Sequence, residues 1–312
     1  MQNKQRVVIL GTGGTIAGRS AQAGDNVGYT AGQIGVDALV AAVPALAGEA
    51  LEAQQVAQLD SKDMDHATWL LLAQHLAYQL ARPEVQGVVI THGTDTLEET
   101  AYFLHRLLAP PKPVVLTAAM RPATALLADG PQNLLDAVRV ARCAGARGVV
   151  TVLNGQVLAA EDVRKVHSYR VEAFSAGDAG PLAVMEEGRL RLFRDWPQGQ
   201  ALGLAWLPSD VARWPRVEVL LSHAGASGGL VEALVAQGVR GIVVAGTGNG
   251  TVHRDMQAAL QRAQLAGVRV LRSSRCVNGA VVGDGLLDSA GALPPVKARI
   301  ELMLQLMAPS AA

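Results

Sequence analysis

Cysteine is almost missing from this 312-residue chain, which has only Cys143 and Cys276. Two cysteines make no disulfide framework, and nothing around them has the spacing of a zinc site, so no metal site is expected. Charge is sparse as well, at 17% of the residues, with 27 basic against 27 acidic. A balanced chain with no basic block lacks the electrostatic footprint of a nucleic-acid groove. No apolar run is long enough to cross a bilayer. The opening MQNKQRVVIL has an apolar stretch too short for a signal peptide, so a cytoplasmic protein is expected. There is no GxSxG elbow, and none of the seven histidines sits in a nucleophile motif. No repeat of fixed period and no low-complexity tract occurs.

What is present is apolar mass. Half of the residues are hydrophobic, ample for one large or two ordinary domains. The chain is organised around Thr91 to Thr100, reading THGTDTLEET. It follows Gly87 to Ile90, a short apolar run of buried-strand type. Leu97, Ala101, Leu104 and Leu108 then recur at helical spacing, with Glu98 and Glu99 in the first turn where the helix dipole favours negative charge. Thr94, Asp95 and Thr96 therefore stand at a strand-to-helix mouth, the place where open α/β sheets bind ligands. Helix capping by Asp95 or Thr96 is the plainer alternative.

The same alternation recurs along the chain. Strands are expected at Arg6–Leu10, Gln54–Leu59, Pro113–Thr117 and Gly148–Leu153, and helices at Val36–Leu46, from Asp65 as cap to Leu80, and at Pro131–Cys143. Strands alternating with helices of this length mean right-handed crossovers and a mostly parallel sheet. Asn154 to Lys165 breaks the rhythm and reads as a hairpin. Residues 196–216, with three prolines and three tryptophans, read as a linker. Beyond it, strands at Val217–Leu221, Gly241–Ala245 and Val268–Leu271 alternate with helices near Gly229–Val235 and His253–Ala266, before a last helix at about Val296–Met307. The expected fold is therefore α/β, with a larger N-terminal domain (1–195) and a smaller C-terminal α/β domain (217–312).

The first strand runs into Gly11-Thr12-Gly13-Gly14-Thr15-Ile16-Ala17-Gly18. A dinucleotide fingerprint fails at Ile16, where a third glycine is needed. A P-loop match through Gly13, Gly18, Arg19 and Ser20 puts arginine where a compact ammonium is required. The glycines do permit close approach of backbone to a ligand, with Thr15 presented on the turn. Arg19 to Ile34 is a long loop of the kind that serves as a lid. Tyr29, its only aromatic residue, is either carried over a pocket to Thr15 or simply anchors the loop.

Thr15, Ser61, Thr94 with Asp95, and Ala119 thus follow four strands that would share one rim. If this rim performs hydrolysis, the natural nucleophile is a threonine hydroxyl, which needs a base or a strong hydrogen-bond partner. Nothing local distinguishes Lys165 from a solvated surface charge.

These residues resemble the bacterial-type L-asparaginases, glutaminase-asparaginases among them. The likeness is carried by GTGGTIAG at 11–18, THGTDTLEET at 91–100, AMRPATALLADGPQN at 119–133, DVRK at 162–165, GTGNG at 246–250 and RSSR at 272–275. The resemblance implies hydrolysis of L-asparagine to L-aspartate and ammonia through an acyl-threonine, with glutaminase side activity and no cofactor. It implies Thr15 as nucleophile, Tyr29 as its hydroxyl partner, and Thr94, Lys165 and Asp95 as a triad. Asp95 would also hold the α-ammonium of the substrate and Ser61 its α-carboxylate, with Ala119 and Asn249 further substrate contacts. The family implies a homotetramer of intimate dimers. An amino-acid sensor, or the amidase subunit of a tRNA-dependent amidotransferase, is the alternative; the latter needs an additional N-terminal domain and a partner.

Three positions depart from the pattern. Lys62 stands where glutamine is common, Thr251 where a second asparagine is common, and Leu286 where an acid follows RSSR, with Asp284 and Asp288 nearby. Two like charges ~4 Å apart at an effective dielectric near 20 repel by roughly 4 kcal/mol. Lys62 is therefore expected to point away, become neutral, or turn to the α-carboxylate beside Ser61, the last being favoured.

Overall fold

The structure, a computed structural model, describes residues 5–22 and 24–308. Ala23 of the expected lid, the opening residues 1–4 and residues 309–312 lie outside the described residues. The chain forms two compact units, residues 1–204 and 205–312.

The first unit contains strands β1 (Arg6–Gly13), β2 (Arg19–Ser20) and β3 (Tyr29–Thr30), helix α1 (Val36–Ala41), β4 (Leu51–Leu59), α2 (His66–Ala81), β5 (Val85–Thr91), α3 (Leu97–Leu108), β6 (Pro113–Thr117) and α4 (Gly130–Ala141). It continues through β7 (Gly148–Leu153), β8 (Gln156–Ala159), β9 (Arg164–Lys165), β10 (Phe174–Ser175), β11 (Ala183–Glu186) and β12 (Arg189–Leu192). Eight of these strands form one sheet in the order β12-β11-β8-β7-β6-β5-β1-β4. The run from β4 through β1, β5 and β6 to β7 is parallel, and β8, β11 and β12 extend it antiparallel.

The central strands are buried on both faces, as a parallel sheet covered by helices requires: β6 and β7 have no exposed residue. On one side, α2 and α3 lock together where Trp69 stacks on Phe103 with ring centroids 4.9 Å apart. Asp65 caps α2 by accepting the Thr68 N–H at 2.8 Å, as its place before the apolar run predicts. From β1 the chain crosses to β4 on one side, then returns past β1 to β5 on the other. That reversal opens a crevice at the carboxyl ends of β1 and β5. Gly11 pairs with Thr91, and Thr91 with Thr117, so β5 and β6 end level while β1 runs two residues further, to Gly13.

Two expectations are corrected. The helix expected over Val36–Leu46 stops at Ala41, and Pro44–Leu46 is a separate 3₁₀ turn. Pro44 has no N–H to donate back to Val40, so the α-helix cannot continue through it. Nor is Asn154 to Lys165 one hairpin. The β7–β8 hairpin turns at Asn154-Gly155, and β9 leaves it to pair with β10, Lys165 opposite Phe174.

The second unit comprises β13 (Val217–Leu221), α5 (Gly229–Ala236), β14 (Gly241–Gly246), α6 (Arg254–Leu265), β15 (Arg269–Ser274), β16 (Asp288–Ser289) and α7 (Pro295–Leu306). Its strands form a parallel sheet in the order β13-β14-β15-β16. Val231, Ile242, Val244, Leu260 and Val270 form its core. Within residues 196–216, Trp196 and Trp214 are buried, and Trp206 Nε1 donates to the Leu304 carbonyl at 2.7 Å.

Candidate active site

Close backbone contact brings the functional turns together. Gly14 has φ +81°, and a Cβ there would lie 2.4 Å from Gly93 Cα. A Cβ on Gly93 would lie 2.3 Å from Ser61 Oγ. No side chain fits at either position, so the turns after β1 and β5 meet backbone to backbone, and the Ser61 side chain packs directly on Gly93. Thr15, Thr94 and Ser61 follow from that contact, and all three are buried.

Thr15 opens a 3₁₀ turn, Thr15–Ala17, directly after β1. Its Oγ1 lies 2.6 Å from the Tyr29 hydroxyl. Tyr29 arrives on a two-stranded ribbon, β2 with β3, in which it pairs with Ser20. The ribbon is tied down where Ala123 N donates to the Gly18 carbonyl (3.1 Å) and Ser20 N to Thr124 Oγ1 (2.9 Å). Within the expected lid, this short ribbon holds the Tyr29 hydroxyl on Thr15.

Thr94 meets a cation. Lys165 Nζ donates to Thr94 Oγ1 at 2.9 Å and to Asp95 Oδ1 at 2.6 Å. The lysine is held by pairing of β9 with β10 and by Lys165 N donating to Glu98 Oε1 at 3.3 Å. The capping alternative for Asp95 and Thr96 fails on geometry. Thr96 is the N-cap of α3 but makes no side-chain cap, and its hydroxyl donates instead to the Ser61 carbonyl at 2.8 Å. The Asp95 carboxylate goes to Lys165, while its N–H donates to Ser61 Oγ at 3.1 Å. As an acceptor from Asp95, Ser61 keeps its own O–H to offer an anion.

Ala119 follows β6 and is fully buried. Among the described residues its carbonyl accepts no hydrogen bond. A buried carbonyl without a partner is uncommon and calls for one. Asp129 and Asn133, at the start of α4, bind the peptide units on either side of it.

Beneath the Thr94 turn, His92 is completely buried. Its Nδ1 lies 2.8 Å from the Gly93 carbonyl, which can only accept, so Nδ1 carries the proton. Nε2 then accepts from Thr100 Oγ1 at 3.0 Å, and Thr100 accepts from Trp69 Nε1 at 2.9 Å. Burial pushes the His92 pKa down to about 4, and the imidazole stays neutral.

The structure does not draw Lys62 into this cluster. Its ammonium hydrogen-bonds to Asp63 and lies 3.8 Å from Asp60 Oδ2, with 60% of the side chain exposed. Hydrogen bonding to Asp63 raises its pKa, which removes the neutral option. Asn249, in the second unit, exchanges two hydrogen bonds with the backbone of Val282, at 2.8 and 2.9 Å. Thr251 bonds Thr247 across the turn, hydroxyl to hydroxyl at 2.7 Å. Asp284, Leu286 and Asp288 are exposed. Among the described residues no group of three or more His, Cys, Asp and Glu is placed to hold a metal ion, and no helix is long and apolar enough to cross a membrane.

Sequence reasoning missed His92, Glu98, Asp129 and Asn133. The only signal was position: each polar residue lies inside a motif beside a strand end, where an open sheet binds ligand.

The switch point of a mostly parallel sheet thus holds two threonine hydroxyls, one against a phenol and one against a lysine–aspartate pair. The family model described as "Asparaginase, N-terminal" matches residues 6–198, and that of the "Glutaminase/Asparaginase C-terminal domain" matches residues 216–311. L-asparaginase 2 of Escherichia coli K12 is 39% identical over 96% of this chain and 88% of that protein. The glutaminase-asparaginase of Pseudomonas fluorescens biotype A is 38% identical over 96% and 86%. The crystal structure titled as a probable cytoplasmic L-asparaginase from Campylobacter jejuni matches with a TM-score of 0.92 and 40% identity, covering 98% of this chain and 96% of that one. The chain belongs to the asparaginase family.

Proposed function

We propose that the protein hydrolyses L-asparagine to L-aspartate and ammonia through a covalent acyl-threonine, with side activity toward L-glutamine. The observation that carries this reading is Lys165 Nζ bridging Thr94 Oγ1 and Asp95 Oδ1, beside the Thr15–Tyr29 hydroxyl pair.

Thr15 Oγ1 adds to the side-chain amide carbon, and the hydroxyl proton passes into the hydrogen-bonded groups around it. Tyr29 is the neighbour that first shares that proton. The C–N bond breaks and the nitrogen leaves as ammonia with one returned proton. Water then adds to the ester carbon, gives a proton back to Thr15, and releases aspartate. Thr94, Lys165 and Asp95 orient that water and take its proton, which is relayed through Thr94 Oγ1 and Lys165 Nζ to the Asp95 carboxylate before it returns. The free hydrogen of Ser61 is offered to the α-carboxylate, and the exposed oxygen of Asp95 to the α-ammonium. The unpartnered carbonyl of Ala119 takes an N–H of the amide. Lys62 lies between two carboxylates that offset its charge, so we assign it no substrate contact. We assign Asn249 the task of holding the Val282 loop.

We place the enzyme in the cytoplasm and read it as a homotetramer of intimate dimers. The compartment rests on the likeness to the Campylobacter jejuni protein; a relative from Haemophilus influenzae, 38% identical, is named as periplasmic. Exposed Leu126 and Leu127 support self-association. Ammonia release by the purified protein tests the activity: turnover of asparagine that exceeds turnover of glutamine is expected. No release from either amide overturns the reading.

A further inference from the structure

We infer that Asp129 and Asn133 are positioning residues for the amide-binding carbonyl of Ala119, an inference that rests on the asparaginase reading above. The two carboxylate oxygens of Asp129 are divided between consecutive peptide N–H groups. Oδ2 accepts from Met120 N at 2.9 Å and Oδ1 from Arg121 N at 2.9 Å. Asn133, one turn further along α4, donates from Nδ2 to the Ala118 carbonyl at 2.9 Å and to Asp129 Oδ2 at 3.2 Å. Its Oδ1 accepts from Asn154 N at 2.9 Å, which fastens the clamp to the β7–β8 turn. Asn133 is 2% exposed.

The peptide before Ala119 and the two peptides after it are therefore held by side chains of one helix. The Ala119 carbonyl, on the opposite edge of the peptide whose Met120 N–H is held by Asp129, is left open. Peptide planarity leaves only the φ and ψ of Ala118, Ala119 and Met120 to set where that oxygen points. Fixing the groups on both flanks fixes those angles. The clamp thus supplies orientation, and an orientation error of about 1 Å costs about 10²-fold in rate. Arg121 carries the same constraint outward: its guanidinium stacks 4.3 Å from the Tyr169 ring centroid and donates to the Tyr169 carbonyl at 2.9 Å, four residues after Lys165.

Asp129 also borders a cavity of about 540 Å³ lined by Gln132, Asn133, Asp136, Arg139 and Asn154 among others. Water from that cavity can replace a missing acceptor, so loss of the carboxylate frees the peptides without emptying a core. Asp129→Asn keeps the shape and one acceptor but turns an N–H donor toward a second N–H. Asp129→Ala removes both acceptors.

The test compares wild type, Asp129→Asn and Asp129→Ala by kcat for asparagine, by the dissociation constant for aspartate, and by the unfolding midpoint. Aspartate has no amide N–H for Ala119 to accept. The expected result is a fall in kcat of about 10-fold for the asparagine variant and about 10²-fold for the alanine variant, with aspartate affinity changed less than about twofold. If Asp129→Ala does not fold, Asp129→Asn alone carries the test. The inference is overturned if kcat stays within about twofold of wild type. It is equally overturned if the loss lies wholly in aspartate affinity or follows the unfolding midpoint. A wild-type protein that releases no ammonia overturns the asparaginase reading instead, so the two failures are distinguishable.

Discussion

The two threonine turns are built alike and furnished differently. Each follows a central parallel strand and places a glycine directly before its threonine, and the two touch at Gly14 and Gly93. Yet Thr15 faces a phenol on a ribbon, whereas Thr94 faces an ammonium held by a carboxylate. A hydroxyl beside a neutral partner on a ribbon is suited to be acylated and released. A hydroxyl beside a lysine fixed from two sides is suited to move protons repeatedly. Under the function proposed above, the contrast is a division of labour: the first turn would make the bond, and the second would manage the protons.

The largest effect should come from removing the nucleophile. Thr15→Ala is expected to lower kcat by about 10⁴-fold while aspartate still binds, measured by ammonia release and calorimetry. Thr94→Val and Lys165→Met should each cost about 10³-fold, and the double variant should fall within about threefold of the worse single one, because groups acting as a unit are non-additive. Additive losses would separate Lys165 from Thr94 and break the comparison. Tyr29→Phe should cost about 10²-fold in kcat, the size of one positioned proton-transfer group.

The floor of the second turn gives a pH effect on stability. His92 has a folded pKa of about 4, below its ordinary value of about 6.5. Between those values the unfolded chain binds a proton that the folded chain does not. Stability is therefore full above about pH 6.5 and falls as pH drops toward 4, by roughly 3 kcal/mol in all from this group. Denaturant unfolding at pH 7 and 4.5 should show a shallower pH dependence in His92→Gln than in wild type. The smallest effect belongs to Lys62→Gln. An exposed lysine neutralised by two neighbouring carboxylates should move the Michaelis constant by less than about threefold.

The central parallel strands β5, β6 and β7 were legible because each contains a short, continuous apolar run that opens with glycine or proline. Residues 87–90, 113–117 and 148–153 are examples, and β6 and β7 match their expected limits. The positions of Thr15, Ser61, Thr94 and Ala119 at strand ends on one rim are legible without any resemblance. The ribbon carrying Tyr29 was not legible, because two-residue strands have no periodicity to detect. Lys165 was legible only through the resemblance. Its place depends on pairing with Phe174 and on Glu98, 67 residues away, neither of which leaves a local pattern. Lys62 shows the opposite failure: Asp60 and Asp63, beside it in the chain, are the anions its ammonium meets.

The division of labour is tested most directly by finding the acyl group. Wild type and Lys165→Met, quenched in acid during turnover of asparagine and mapped by peptide mass spectrometry, should carry one β-aspartyl group on the peptide containing Thr15. The modified fraction should be larger in Lys165→Met, where deacylation is slowed. A β-aspartyl group on Thr94, or an ammonia burst with Thr15 unmodified in both proteins, would contradict the assignment.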